Sequence, residues 1–262
     1  MTPQIFPLRA IAAALMLLFT ASESRAVLLD WANLPVGQSW TQGGLTGSFN
    51  LDGVAGNDVS ISIVSSGVTF ASDATGPYPQ NISDAAINSG TMGLQMWTTA
   101  GFTNTTNKVT VTITFLGTYS SGTPASFTLF DVDANNTFID RVSITALNGA
   151  TPVTLTATNI GATASNTISG SGTTNPIATG TVAVGNISDN RGNVNITTNN
   201  QYVTSITFVW NNPGPNFGAQ AIDLGNISFA PEVGSGYGAL IVCGGMLTVW
   251  RRRPAARSLA AA

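Results

Sequence analysis

Residues 109–115 read Val109-Thr110-Val111-Thr112-Ile113-Thr114-Phe115, a strict alternation of apolar residues and threonine. Successive side chains of a β-strand point to opposite faces, so this stretch predicts a strand with one apolar and one polar face. β-Branched residues also suit a pleated, half-buried surface. The stretch therefore favours an antiparallel sheet that packs one face on a core and turns the other to water.

The same alternation recurs along the chain on both sides of this stretch. Further strands are predicted at residues 59–63, 127–129, 142–146, 153–156, 194–197, 203–210 and 222–229. Turn residues separate them, and Asn148-Gly149 predicts a tight hairpin. Residues 157–185 are rich in Thr, Ser, Asn and Gly, which indicates a long surface loop or an exposed hairpin. We therefore expect an all-β fold, a jelly-roll-like antiparallel sandwich of two sheets.

The first 26 residues have the composition of a signal peptide. Arg9 and the amino terminus supply a weak positive charge, and residues 10–19 are apolar. Ser24-Arg25-Ala26 then places small residues at a cleavage site. We expect an N-terminal signal helix at 1–26 that is cleaved after Ala26, the alternative being an uncleaved anchor helix. The sandwich then occupies residues 27–230 as an extracellular domain.

The C-terminal region predicts a membrane span. Residues 234–250 are uncharged and mostly apolar, and Arg251-Arg252-Arg253 follow directly. As a helix, this run rises by roughly 26 Å at about 1.5 Å per residue, which approaches the hydrocarbon thickness of about 30 Å. Arginines after the run stop transfer and mark the cytoplasmic side. We therefore expect a C-terminal transmembrane helix that anchors the exported body in the cell envelope.

Pro231 and Glu232, the apolar run and the arginine cluster together resemble the PEP-CTERM class of C-terminal sorting signals. This class occurs on exported proteins of Gram-negative bacteria, and Val233 stands here where the second proline is usual. The resemblance implies a sorting signal at 231–257, with Pro231, Glu232, Arg251, Arg252 and Arg253 as its motif residues. It also implies an exosortase-like processing enzyme as a partner. A plain C-terminal anchor without processing is the alternative.

Three segments of the body are similar to the β-sandwich and jelly-roll domains of surface proteins. They are Phe127-Thr-Leu-Phe-Asp131-Val-Asp133, Asp140-Arg141-Val142 and the closing segment 222–229. The resemblance implies a fold and an extracellular setting, and it implies no defined activity.

Charge and composition exclude several classes of function. Residues 27–231 contain ten Asp, no Glu, one Lys and two Arg, a net charge of −7, so nucleic-acid binding is not expected. The absence of histidine removes Ser-His and Cys-His catalysis and the usual zinc and copper ligands. A glycoside hydrolase would need two apposed Asp residues, such as Asp131 and Asp140. We expect no enzyme activity.

The segment 131–140 offers the best set of metal ligands in the sequence. Asp131, Asp133, Asn135 and Asp140 place carboxylate and amide oxygens at short spacings, as a hard cation such as Ca²⁺ requires. The alternative is a hairpin turn in which Asp and Asn bond their own backbone.

Aromatic and threonine patterns suggest further surfaces. Trp31, Trp40, Trp97 and Trp210 are either core anchors or platforms for sugar rings, and Trp210 is the most exposed candidate because it precedes a polar loop. Thr110, Thr112 and Thr114 suggest surface binding. Because they lie on a single strand, the water-facing side of a sheet explains them better.

These features predict a non-catalytic cell-surface or extracellular-matrix protein. It is exported through the inner membrane, held by its C-terminus and associated with extracellular polysaccharide. The alternative is a lectin-like module that binds carbohydrate with the help of calcium, and an Asp-dependent glycoside hydrolase is the third hypothesis.

Overall fold

The computed structural model describes residues 26–84, 90–99, 102–160, 164–183 and 190–229. The chain divides into two units, and one of them, Arg25–Pro231, contains all of these residues. The other unit comprises Met1–Ser24 and Glu232–Ala262. Residues 1–25 of the predicted signal peptide, the predicted transmembrane helix and the sorting motif therefore lie outside the described residues. Within the described residues, no helix is long and apolar enough to cross a membrane.

The described part of the chain forms seventeen strands and one short 3₁₀ turn, Gly117–Tyr119. In chain order the strands are β1 (Val27–Leu29), β2 (Thr46–Phe49), β3 (Val59–Ser66), β4 (Ser72–Asp73), β5 (Gly76–Pro77), β6 (Gln80–Ser83), β7 (Met92–Thr98), β8 (Lys108–Phe115), β9 (Ala125–Phe130), β10 (Arg141–Asn148), β11 (Thr151–Val153), β12 (Thr156–Asn159), β13 (Asn166–Ser169), β14 (Ile177–Gly180), β15 (Val194–Thr197), β16 (Ser205–Asn211) and β17 (Gln220–Phe229).

Two large sheets account for nearly all of these strands. One sheet has seven strands in the order β12-β15-β9-β17-β7-β6, with β1 also paired to β17. The other has eight strands in the order β13-β14-β10-β16-β8-β3-β2, with β11 also paired to β10. The strands β4 and β5 form a small separate ribbon. Every pairing between these strands is antiparallel, which confirms the expected all-β, antiparallel fold.

The alternation in the sequence explains how the two sheets pack. In β8, the apolar residues at alternate positions are buried, whereas the threonines between them are only partly buried. The apolar faces of both sheets contribute to one hydrophobic core. Phe127 of the seven-stranded sheet lies 6.4 Å from Phe208 of the eight-stranded sheet, and Phe115 lies 5.2 Å from Phe229, measured between ring centroids. The sheets therefore pack face to face as a sandwich.

The last strand lies in the middle of the seven-stranded sheet. β17 pairs with β9 along one side and with β7 and then β1 along the other. Its register against β9 shifts between Leu224 and Ile227, which is a β-bulge. Trp31 fastens the bulge, because its indole Nε1 donates to the carbonyl oxygen of Gly225 at 3.0 Å.

Two local predictions have definite outcomes. The hairpin at Asn148-Gly149 is present, since Asn148 pairs with Thr151 and Gly149 has a φ of 59°. The polar segment 157–185 is not a continuous loop. Its described part contains the hairpin of β13 and β14, in which Ser169 pairs with Ile177. The interpretation as an exposed hairpin was therefore the better of the two.

Candidate functional site

The predicted acidic site lies at one end of the sandwich, where β9 ends and β10 begins. Asp131 follows β9 with a φ of 63°, a conformation that Asp tolerates better than most residues. The backbone N–H of Asp140 donates to the carbonyl oxygen of Asp133 at 2.8 Å. The N–H of Asp133 also faces Oδ2 of Asp140 at 3.4 Å. Asp133 and Asp140 are therefore held side by side.

The carboxyl group of Asp140 lies inside the protein. Asp140 has no exposed surface, and its Oδ1 accepts a hydrogen bond of 2.8 Å from the indole Nε1 of Trp210. Burial raises the pKa of Asp140 well above its ordinary value, and the negative charges of Asp133 and Asp131 raise it further. The Trp210 hydrogen bond acts in the opposite direction. A carboxyl group without exposed surface is not placed to meet a substrate, so this arrangement does not support Asp131 and Asp140 as a catalytic pair.

Asn135 does not join the other predicted calcium ligands. Its Oδ1 accepts hydrogen bonds from the N–H of Thr137 at 2.7 Å, from the hydroxyl of Thr137 at 2.7 Å and from the N–H of Phe138 at 3.2 Å. This is the turn in which Asn bonds its own backbone, the alternative that the sequence left open. Within the described part of the chain, no group of three or more His, Cys, Asp or Glu residues could hold a metal ion. Calcium binding at this turn stays a prediction.

Of the four tryptophans of the sandwich domain, three are core residues. Trp31, Trp40 and Trp210 are at most 6% exposed, and each indole N–H has a hydrogen-bond acceptor. The expectation that Trp210 is the most exposed was wrong, because the indole is fully buried against Asp140 and Phe102. Trp97 is the member of the set that is only partly buried, and its ring meets that of Tyr78 edge-on at 5.3 Å.

The outer face of the eight-stranded sheet carries a feature that the sequence analysis did not find. Its outward positions are mostly Ser and Thr, and the strand register aligns them into rows. One row crosses five strands, from β2 to β10, and consists of Thr46, Ser62, Thr112, Thr207 and Thr145. The Oγ1 atoms of Thr112 and Thr207 are 3.2 Å apart. We call this surface the hydroxyl face.

A second row lies beside the first on the hydroxyl face. It consists of Ser48, Ser60, Thr114, Ser205 and Leu147. None of the eight strands in this sheet contains an Asp or Glu. The hydroxyl face is therefore rich in neutral hydrogen-bonding groups, although the body as a whole is acidic.

Two clefts lie on the hydroxyl face, one after the other along β10 and β16. The first has a volume of about 300 Å³ and is lined by residues that include Thr145, Leu147, Pro152, Asn175, Ser205 and Thr207. The second has a volume of about 250 Å³ and is lined by Thr105, Thr106, Lys108, Arg141, Ser143, Val209 and Asn211. We call the two clefts together the groove. From Ser205 to Asn211 it follows β16 for about 20 Å, at about 3.4 Å per residue.

A sequence signal for the hydroxyl face existed in retrospect. The polar positions of β3, β8, β10 and β16 are largely Ser or Thr, as Ser60, Thr112, Ser143 and Thr207 illustrate. Taken by themselves, the threonines of β8 indicate only a solvated face. The rows become visible only when the register of strands distant in sequence is known.

Comparisons with known proteins do not identify a function for the chain. Neither a protein-family model nor a curated protein matches the chain. Among solved structures, the chain is similar to a family 11 carbohydrate-binding module from Clostridium thermocellum in complex with a β-1,3-1,4-mixed-linked tetrasaccharide. The similarity covers 78% of this chain and 94% of that chain, with 12% sequence identity and a TM-score of 0.25. A TM-score this low carries no argument about fold or function.

Proposed function

We propose that this chain is an exported, non-catalytic protein of the cell surface or extracellular matrix whose sandwich binds polysaccharide along the groove. The observation that carries the proposal is the succession of two clefts along the same two strands, β10 and β16. Hydroxyl and amide side chains border both clefts, so an extended polymer that lies along the strands meets hydrogen-bonding groups in each of them.

The chemistry of the groove suits sugars. Ser and Thr hydroxyls both donate and accept hydrogen bonds, and the Asn side chain does the same through its two ends. Sugar hydroxyls have the same dual capacity, so each can be matched. Leu147 and Pro152 border the first cleft and offer apolar contact to the C–H groups of a sugar ring. The clefts are at or just below the lower end of the volumes typical of ligand pockets, about 300 Å³, which suits one or two sugar residues in each.

The setting of the protein is part of the same proposal. We propose that residues 1–26 direct export, and that the helix after Pro231 and Glu232 anchors the body in the envelope membrane, with Arg251, Arg252 and Arg253 on the cytoplasmic side. An exosortase-like enzyme then processes the sorting signal. The jelly-roll-like classification of the sandwich belongs to this proposal too. A reporter enzyme fused after Phe229 should be active only outside the cytoplasm, and activity confined to the cytoplasm would contradict the proposed topology.

Binding of neutral polysaccharides tests the groove directly. The full-length chain in mild detergent is titrated with soluble neutral β-glucan, galactomannan and dextran, with and without calcium. We expect at least one polymer to bind. A loss of binding on calcium removal would support the calcium-assisted form of the hypothesis, and equal binding would remove calcium from the proposal.

Two matched variants locate the binding surface. Thr145→Gln places a longer side chain into the first cleft and should lower the affinity for the bound polymer about tenfold, or about 1.4 kcal/mol. Thr46→Gln makes the same change on the same face, on the edge strand β2 and outside both clefts, and should leave the affinity unchanged. Absence of binding to every polymer, or equal losses in the two variants, would overturn the proposal.

A further inference from the structure

Two of the three basic residues of the body lie at the same level of the hydroxyl face. Asn211 of β16 pairs with Lys108 of β8 on one side and with Arg141 of β10 on the other. Residues paired across neighbouring strands point to the same face. Since neighbouring strands lie about 4.8 Å apart, the Cα atoms of Lys108 and Arg141 are separated by about 10 Å. Both side chains are long enough to reach a group above Asn211.

Neither basic side chain has a partner within the part of the chain that the structure describes. Among the described residues, no hydrogen bond or ion pair involves the ammonium group of Lys108 or the guanidinium group of Arg141. The carboxylate nearest in sequence, that of Asp140, points away from Arg141 into the interior and bonds to Trp210. Two unpaired cations in a body of net charge −7 therefore face the same cleft.

The second cleft is rich in hydrogen-bond donors. Lys108 offers three N–H groups, Arg141 offers a planar fork of five, and the amide of Asn211 lies between them. Thr105, Thr106 and Ser143 add hydroxyl groups around the cleft. A guanidinium and an ammonium group that converge on one point bind an oxyanion with charge-assisted hydrogen bonds, which are stronger than those between neutral groups.

We propose that the second cleft binds the oxyanion of an acidic sugar residue, such as the carboxylate of a uronate, in a polysaccharide that lies along the groove. The inference rests on the proposed function, because it names the ligand class of the same groove. The first cleft contacts neutral sugar residues through hydroxyl groups, and the second selects polymers that carry a negative charge.

The test compares acidic and neutral polymers on charge-matched variants. Polygalacturonate and alginate are titrated into the wild type, into Lys108→Gln/Arg141→Gln and into Val36→Asp/Val54→Asp. Both double variants change the net charge by −2, and Val36 and Val54 are exposed loop residues outside the groove. We expect the first double variant to lose at least about tenfold in affinity for the acidic polymers, a change of about 1.4 kcal/mol. The second should lose little, and binding of the neutral polymer should not change in either.

A single isosteric variant distinguishes a loss of affinity from a folding defect. Asn211→Asp places a carboxylate between Lys108 and Arg141, where it pairs with both cations and competes with the ligand. We expect the melting temperature of this variant to equal or exceed that of the wild type, and its affinity for acidic polymers to fall as in Lys108→Gln/Arg141→Gln.

The possible outcomes separate this inference from the proposed function. If neutral polymers bind but the variants of Lys108, Arg141 and Asn211 keep full affinity for acidic polymers, the inference is overturned and the groove stands. If acidic polymers bind through these residues while no neutral polymer binds, the inference stands and the first cleft loses its role. If inorganic phosphate or sulfate displaces the acidic polymers at its own millimolar concentration, the cleft is a site for free anions, which overturns the assignment to a sugar.

Discussion

At the scale of single residues, Asp140 is a carboxyl group buried in the interior of the sandwich. Its side chain has no exposed surface and is satisfied by the indole of Trp210 and the backbone of Asp133. Burial raises its pKa, so the folded protein holds a proton at pH values where the unfolded chain has released it. The stability contributed by this proton is fully present below the ordinary pKa of 3.8 and is lost as the pH rises through the folded pKa.

The variant Asp140→Asn should remove this pH dependence. An Asn side chain keeps the Oδ1 acceptor for Trp210 and cannot ionise. We expect the free energy of unfolding of the wild type to fall by up to about 1.4 kcal/mol per pH unit as the pH rises from 4 toward the folded pKa, and the curve of Asp140→Asn to lack this contribution. The pKa values of Asp30 and Asp73 are lowered, so their effect on the free energy of unfolding changes below pH 3.8 and outside this pH range. Urea titrations from pH 4 to 8 measure the difference, and parallel curves would refute this account.

The calcium hypothesis makes a separate prediction about the same carboxylates. If Asp131, Asp133 and Asp140 bind calcium, the melting temperature should rise with millimolar calcium, because a ligand at a hundred times its dissociation constant stabilises the folded state by about 2.7 kcal/mol. Asp133→Asn should abolish the rise, and Asn135→Ala should keep it because Oδ1 of Asn135 belongs to the turn. A melting temperature that does not respond to calcium would refute the calcium hypothesis.

Single residues also show the limit of sequence reasoning. Asp133 and Asp140 were predicted to lie together, and they do, because a short turn between two strands brings both ends to the same place. The sequence could not show that Asp140 faces Trp210, since these residues are 70 positions apart and meet through the pairing of β10 with β16. The same contact explains why Trp210 is buried despite the polar loop that follows it.

At the scale of strands, a close contact of β14 holds the Asp133–Asp140 pair in place. Gly180 pairs with Asn166 of β13, and its N–H donates to the carbonyl oxygen of Asp140 at 2.8 Å. A Cβ atom at Gly180 would lie 1.8 Å from the carbonyl oxygen of Asp133, a distance that no side chain can adopt without moving the backbone. The hairpin of β13 and β14 and the turn at Asp133 therefore pack against each other only with glycine at this position.

Gly180→Ala should consequently destabilise the protein by about 3 kcal/mol or more, as expected for overpacking that backbone atoms cannot relieve. Gly214→Ala is the matched control, since the Cβ atom there would lie 3.2 Å from its nearest neighbours, Oδ1 of Asn212 and Cδ1 of Ile139, which are side-chain atoms. We expect the control to lose less than about 1 kcal/mol. Chemical denaturation measures both values, and similar stabilities would mean that the close approach of Asp133 does not exist.

Several strands that alternate in sequence were predictable, whereas β7 was not. β3, β8, β10, β15 and β16 were found because β-branched apolar residues face the core at every second position. β7, Met92–Thr98, was missed because Gly93, Gln95 and Thr98 are buried along with its apolar residues, so the segment has no polar face. In the missed strand, tertiary contacts on both faces outweigh the local pattern.

At the scale of the whole molecule, the first and last described strands, β1 and β17, pair with each other in the seven-stranded sheet. Val27 pairs with Phe229 and Leu29 with Ile227, although about two hundred residues separate them. Leu29 is fully buried, whereas Leu28 is 47% exposed. The predicted cleavage after Ala26 would leave this strand intact, directly at the new amino terminus.

Leu28 and Leu29 test how much the packing of β1 contributes to the free energy of unfolding. Leu29→Ala should lower the free energy of unfolding by about 2–5 kcal/mol, because it removes a fully buried side chain from the core. Leu28→Ala should change it by no more than about 0.5 kcal/mol, since a largely exposed side chain gains little from burial. Equal effects of the two substitutions, measured by urea denaturation, would show that β1 does not pack on the core as described.

The groove belongs to the whole-molecule scale, which is why it was not predictable. Its residues come from segments around positions 105, 145, 175 and 207, and only the order of the strands in the sheet brings them together. Composition supports expectations about nucleic-acid binding and catalysis, because those depend on which residue types exist. A binding surface depends on where they meet, and a single sequence does not contain the register.

The central position of β17 has a mechanical consequence. A protein held by its C-terminal end would receive any pulling force through Phe229, the last residue of this strand. β17 is bonded on both sides, to β9 and to β7 and β1, so a force along it loads many hydrogen bonds in shear at once instead of peeling them off one at a time. Under tension from flowing water or an attached polymer, the domain should therefore yield late and abruptly.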